Sequence, residues 1–482
     1  MSSTPSNTPT NPQLRSNSLG LSELVFQAVT HIAPASNVIF TFPIIAAKAG
    51  PVMPISLLLA TIVCLFIGNT VSQFSRYMPS SGGYYSFATR GLGSRTGFLA
   101  TWSYLVYEIP GNAGLAGFLG YFVSETLKTE FNIAIPWWLI SLATTALVWT
   151  LTYCGIQLSA RITAMLGGIE VLIMLALAIT FLIHPGKGSS FTAPLNPLNA
   201  PNHFGGVLAG MVFSILALSG FEAPAPMAQE AKRPASFVAL SITLSLVAIG
   251  GFYLFTSYAA AIGWGTQEMA SFASNANPYY VLARAFWGAG WWLVVLSLIN
   301  SAVGVGLAAT NATSRVMYTM GRAGTLPAKF ARIHPVHQTP TYAIGFFQIA
   351  CTISILLVGL LLKPDTIFAF LETIATLSVI VLYVMSNLAL TRYMRRQQPT
   401  HFSIWQHGVV PWIATLCLLP VLFVTVYPRP AWPYNITPYI FVAAMLLGFV
   451  YMKQRESANP GSLERAATML TRTGPASETV SE

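Results

Sequence analysis

Apolar stretches long enough to cross a bilayer follow one another from end to end of this chain, and nothing else in it constrains the fold as strongly. A span needs about 20 predominantly apolar residues. Read that way, the sequence yields twelve: 21–49, 52–74, 97–123, 136–155, 162–183, 204–229, 236–262, 290–313, 341–362, 366–391, 408–427 and 435–452. Backbone polar groups in hydrocarbon must be satisfied within their own segment, so such spans are helices. The expectation is an all-α polytopic membrane protein with twelve transmembrane helices. Residues 278–289 read as a short amphipathic helix or the outer end of span eight, and Glu125–Phe131 and Pro185–His203 read as loops.

Composition closes off the other classes. Of 482 residues 54% are hydrophobic and only 8% charged, against roughly a quarter charged in soluble domains. This excludes a soluble globular domain, a disordered chain and a small disulfide scaffold. The net charge of +10 reads as positive loops on the cytoplasmic face rather than as a nucleic-acid surface. With the N-terminus placed inside, eighteen of the 24 Lys and Arg fall on inner loops and tails and six outside. Both termini are therefore expected in the cytoplasm, with the chain in the cell membrane. Cys64, Cys154, Cys351 and Cys417 each sit in a separate apolar run, with neither metal nor redox spacing. Residues 1–20 are expected to be a disordered N-terminus without a cleavable signal peptide. Residues 453–482 are expected to be a disordered tail.

Two spans are interrupted. Span one carries Ala33-Pro34-Ala35-Ser36-Asn37, and span six carries Ser219-Gly220-Phe221-Glu222 followed by Pro224 and Pro226. Proline inside a helix removes a hydrogen bond and clashes with the preceding turn. Interrupted spans at matching positions of two halves point to a transporter binding site. A five-helix offset suggests two inverted repeats (21–183 and 204–391), with 408–452 appended. The half-helix starting after a break offers N–H groups and a positive dipole end, suited to a carboxylate. The half-helix ending there offers carbonyls, suited to an ammonium or a cation.

Ionisable residues inside spans are costly and usually functional. Here they are His31, Glu108, Glu170, Glu222 and Glu372. Glu108, followed by Pro110-Gly111-Asn112, can meet a substrate ammonium or serve as a buried partner for Tyr or backbone. His31, one turn before the first break, can titrate near neutrality or cap freed carbonyls. Glu372 reads as part of an outer gate. Gly111, Gly114, Gly117 and Gly120 form a small-residue stripe, expected to pack against the broken helices.

Three motifs in order carry a resemblance: Met78-Pro79-Ser80-Ser81-Gly82-Gly83-Tyr84-Tyr85 with Arg90-Gly91-Leu92-Gly93, then Gly220-Phe221-Glu222 with Gln229-Glu230-Ala231-Lys232-Arg233-Pro234, then Ser314-Arg315-Val316-Met317-Tyr318 with Gly321-Arg322, Leu326-Pro327 and Thr339-Pro340. Over about residues 20–450 the chain resembles the amino acid–polyamine–organocation family of permeases. That resemblance implies a twelve-helix, five-plus-five inverted-repeat (LeuT-like) fold. It also implies substrate at the breaks, hence at Ala35, Ser36, Asn37, Ser219, Gly220, Phe221 and Glu222, with Glu108 and Asn112 from span three. Glu222 would brace the unwound segment or contact an amine. The family's usual glycine in break one is absent, and its aromatic gate position is Leu216. Some relatives carry a lysine where this chain has Glu170. A carboxyl there can exchange a proton or hold a cation, so Glu170 is a coupling candidate with His31; the alternative is a neutral Glu hydrogen-bonded within the bundle.

An enzyme would need a catalytic constellation, and the sequence has no His-Glu-x-x-His, no Cys-x-x-Cys and no nucleotide loop. Asp occurs once, at Asp365. A channel or sensor lacks its filter loops or output domain. The reading is a secondary transporter of amino acids or related amines, with a polyamine importer as the alternative. It has no cofactor, runs on a proton or sodium gradient or exchange, binds no nucleic acid, and sits in the bilayer as a monomer or weak homodimer.

Overall fold

The computed structural model describes residues 14–275, 277–427 and 429–472. The first expected span is three pieces: α1 (Leu21–His31), α2 (Pro34–Ser36) and α3 (Phe42–Ala49), with a π-helical turn over Asn37–Thr41. Pro34 has no N–H to continue α1, and Ala33 turns into the left-handed region at φ 59°. Five helices complete the first half: α4 (Met53–Tyr77), α5 (Tyr84–Leu92), α6 (Ser94–Phe131), α7 (Trp137–Tyr153) and α8 (Ile156–Ile183). The sixth expected span begins as α9 (Phe204–Leu218), loses helical form from Ser219 to Pro224, and ends in a 3-10 turn over Ala225–Glu230. There follow α10 (Pro234–Trp264), α11 (Met269–Ser274), α12 (Pro278–Trp287), α13 (Trp292–Arg322), α14 (Thr341–Leu361), α15 (Ile367–Gln397), α16 (Val410–Val426), α17 (Thr437–Ala458) and α18 (Ser462–Arg472).

Among the described residues, eight helical runs are long and apolar enough to cross a membrane. The run Leu21–Tyr77 holds two expected spans in one. α6, α7 and α9 are outside the eight; α7 has 17 residues and α9 only 15 because its span is broken. The exterior is apolar: Leu172, Leu360 and Leu361 are each about 70% exposed, a surface made for acyl chains rather than water. Inside, α6 runs along α15 and α4 along α10, while α1 lies among α8, α10 and α13.

Several expectations need correction. Glu125–Phe131 is not a loop but the last two turns of α6. The glycine stripe of α6 faces continuous helices rather than the broken ones. Gly111 and Gly114 lie against Ala375 and Leu371, Gly117 against Ile367, and Gly120 against Ser141 of α7. Small residues let two unbroken helices approach closely, whereas the broken segments meet α6 through side chains.

The described parts of both tails, residues 14–20 and 453–472, are more ordered than their polarity suggests. Residues 1–13 and 473–482 lie outside the described residues. Ser18 and Leu19, however, donate their N–H groups to the Glu230 carbonyl (2.8 and 3.0 Å), and Lys232 N–H donates to Leu19 O (2.9 Å). α17 continues to Ala458, and α18 buries Leu463, Ala466 and Leu470 against α5 and α6. That one-sided spacing is what a short amphipathic helix needs to dock.

Candidate functional site

The two breaks meet. Gly220 adopts φ +104°, and a Cβ there would lie 2.9 Å from the His31 carbonyl oxygen. Only glycine takes that backbone without strain, and only glycine permits this approach. Asn37 ties the breaks together. Its side-chain amide donates to Ile32 O (2.5 Å) and Ala217 O (3.0 Å), and its carbonyl accepts from Thr41 Oγ1 (2.7 Å). The Tyr253 hydroxyl of α10 also donates to Ile32 O at 3.2 Å. Carbonyls freed at both helix ends are thus answered by side chains, as buried groups require.

Several N–H groups at the half-helix starts meet the protein's own acceptors as well. Pro34 has none. Ala35 N–H lies beside the Glu170 carboxyl of α8. Ser36 N–H donates to Ser301 Oγ at 3.3 Å, and Asn37 N–H to Ala33 O at 3.0 Å. Across the way, Gly220 N–H donates to Glu222 Oε2 at 3.1 Å, and the Tyr383 hydroxyl donates to both Glu222 oxygens at 3.1 Å. The protein's own carboxyls and hydroxyls stand where a substrate carboxylate was expected.

Between the breaks and α6 lies a cavity of about 60 Å³. Seven expected site residues line it: His31, Ser36, Asn37, Glu108, Asn112, Leu216 and Ser219. Five do not. Ala35 and Glu170 sit behind the first break, Phe221 stacks on Tyr383 with centroids 5.7 Å apart, and Gly220 and Glu222 form the backing of the second break. Asn112 and Asn37 face the cavity with amides already engaged, Asn112 donating to Cys351 Sγ at 3.4 Å.

His31 Nε2 is 3.3 Å from Glu108 Oε2, with the side chains 4% and 2% exposed. His31 Nδ1, Glu108 Oε1 and Ser36 Oγ are buried at the cavity without a hydrogen-bond partner. Such groups in a native interior ask for a ligand or water. Glu372 of α15 lines the same cavity, as do Tyr107 and Phe368. Sequence reading did not place these three in the site; Glu372 was assigned to a gate. On the α3 side Phe40 packs edge-on to Phe118 (4.3 Å) and tilts against Phe368 (5.8 Å). These aromatics, not Leu216, supply the bulk there. The signal was available as an aromatic one turn before Glu372, but it lay outside the broken spans.

Glu170 is fully buried. Its oxygens lie near Ser301 and the Ala35 amide, yet neither makes a hydrogen bond of normal geometry. All four cysteines are free, two of them buried.

Comparison with known proteins agrees with this architecture. The amino acid permease family model matches residues 24–454. The branched-chain amino acid permease BcaP of Bacillus subtilis is 28% identical over 86% of this chain and 88% of its own. The glutamate/serine transporter AimA of the same organism is 26% identical over 62% and 58%. The low-affinity putrescine importer PlaP of Escherichia coli is 22% identical over 75% and 80%. With that match over nearly its whole length, the chain belongs to the amino acid permease family, as a helical multi-pass membrane transporter and not an enzyme.

Proposed function

We propose that the chain is a secondary active transporter that moves an amine-bearing substrate, an amino acid or a polyamine, across the cell membrane by alternating access. The twelve helical stretches would form two inverted five-helix repeats and two appended helices, with both termini in the cytoplasm. Substrate would sit between the breaks of spans one and six, against α6. The observation that carries the amine is that Ser36 N–H is taken by Ser301 and Gly220 N–H by Glu222, while the Glu170 carboxyl stands beside Ala35 N–H. Of the groups lining the cavity, Glu108 Oε1, the Ser36 hydroxyl and His31 Nδ1 lack a hydrogen-bond partner, and Glu372 adds a second carboxyl. Carboxyl oxygens in a buried cavity suit an ammonium. The relatives' named substrates include amino acids and putrescine, which share that group. Glu170, held behind the first break, is the candidate for coupling to a proton or cation.

The test is labelled-substrate counterflow in proteoliposomes, competed by amino acids and polyamines. Competition by putrescine or spermidine but not neutral amino acids selects the polyamine reading. Competition by α-amino acids alone requires that the half-helix N–H groups be released to a carboxylate. Absence of counterflow with every amine refutes the proposal.

A further inference from the structure

The cavity contains a basic side chain of its own. His31 stands on α1 one turn before the break and points its Nε2 at Glu108, with both groups buried. A buried carboxylate and imidazolium persist because each is the other's partner. Each also keeps one atom without a hydrogen bond of normal geometry, Nδ1 on His31 and Oε1 on Glu108, and both residues line the cavity. The His31 ring packs against Gly220 of the second break, so Glu108 has one oxygen on His31 and one to offer a ligand.

The other titratable groups around His31 do not take its place. Glu222 is occupied by Gly220 N–H and the Tyr383 hydroxyl. The Tyr253 hydroxyl of α10 is spent on Ile32 O. Tyr104 and Tyr107 of α6 lie beside Glu108 and Ser219. Glu170 of α8 faces Ala35 and Ser301. Glu372 of α15 lies across the cavity, beside Gly111.

Resting on the transport reading above, we propose that His31 is a built-in stand-in for the substrate's ammonium, and that Glu108 exchanges the one for the other. An arriving ammonium bonds Glu108, and the imidazolium it displaces would be left buried, unpaired and next to a like charge. That arrangement is unfavourable, so His31 gives up its proton to the open side. The balance is simple: ammonium plus the His31-H⁺/Glu108⁻ pair yields the ammonium/Glu108⁻ pair, neutral His31 and one proton. No bond in the substrate changes. The substrate ammonium thus takes over the charge that the imidazolium gives up, and the two compete for one carboxylate.

Titration calorimetry of the purified full chain in two buffers of different ionisation enthalpy counts the protons released. Putrescine and L-leucine are the probes. Binding of either is expected to release about one proton, with Kd rising up to about tenfold for each unit the pH is lowered. In His31→Gln the release disappears and Kd no longer varies over that range. Binding to the wild-type chain without proton release overturns the exchange on its own, whatever the variant does. So does a His31→Gln chain that still releases the proton. If neither probe binds or drives counterflow, the transport reading itself fails, and the exchange with it.

Discussion

Arg315 and Glu230 form an ion pair that neither solvent nor lipid reaches, with both side chains 0% exposed. The guanidinium engages both carboxylate oxygens, Nη2 to Oε1 at 3.0 Å, and Nη1 also donates to Asn311 O at 2.8 Å. The Glu230 carbonyl in turn receives Ser18 and Leu19. One pair thus joins α13, the end of the sixth span and the N-terminal segment.

Removing one partner should leave the other charge buried and alone, at a cost of about 3–5 kcal/mol. Arg315→Ala or Glu230→Ala should therefore lower the melting temperature sharply. Replacing both at once, Arg315→Met with Glu230→Leu, should cost less than either alanine, since apolar isosteres of a buried pair are often tolerated. Thermal melts of the detergent-solubilised single and double variants check this; a double variant weaker than both singles contradicts it.

Gly220→Ala should abolish transport while leaving most of the bundle folded. The new Cβ faces the His31 carbonyl and stands in a left-handed backbone, a strain of about 1–2 kcal/mol for an L-residue. Relief requires the two breaks to part, which moves His31 relative to Glu108. Counterflow beside a melting curve separates the effects. Wild-type counterflow in this variant would mean the close approach is not needed.

The breaks were legible because Pro34, Pro224 and Pro226 leave a local mark in any apolar run. The presence of apolar helices was legible for a similar reason, since a crossing needs about 20 apolar residues; their ends were not, as α6 running on to Phe131 shows. What escaped was whatever depends on a partner distant in sequence. Glu108 and His31 are 77 positions apart, and nothing in either span names the other. Glu372 and Phe368 come to the cavity only because the glycine face of α6 lets α15 in. Ala35 and Phe221, expected at the substrate from their place in the breaks, lie behind the cavity lining, while Glu222 holds Gly220 N–H and the Tyr383 hydroxyl, the bracing place that was the first of its two readings. The tail after 453 misled because α18 is polar on average, and its docking face is only Leu463, Ala466 and Leu470 with the partly buried Met469.

Glu170→Gln should flatten the pH dependence of uptake without harming the fold. The carboxyl is fully buried and lacks a hydrogen bond of normal geometry on either oxygen. A neutral amide of the same shape removes the titrating group and adds donors toward Ser301. The melting temperature should hold or rise, and proteoliposome uptake at saturating substrate, where the pH dependence of binding at His31 drops out, should lose its slope across pH 5 to 8, about the range of physiological switching. Unchanged pH dependence in a folded variant would take Glu170 out of the coupling role.

Leu463→Asp with Leu470→Asp should detach α18 and leave the transmembrane bundle standing. Each leucine is nearly fully buried, worth about 1.5–3 kcal/mol apiece, and an 11-residue helix has little stability of its own without its docking face. α18 touches α5 and α6 at their shared end, so its loss removes contacts there and nowhere near the cavity. Trypsin should then cut at Arg465 at least about tenfold faster, as a loss of 1.4 kcal/mol or more in docking demands. The bundle's melting temperature should fall by no more than a few degrees. Mass spectrometry of the digest and a melting curve of the same sample decide it. If Arg465 stays protected in the double variant, its protection does not come from the docking of Leu463 and Leu470.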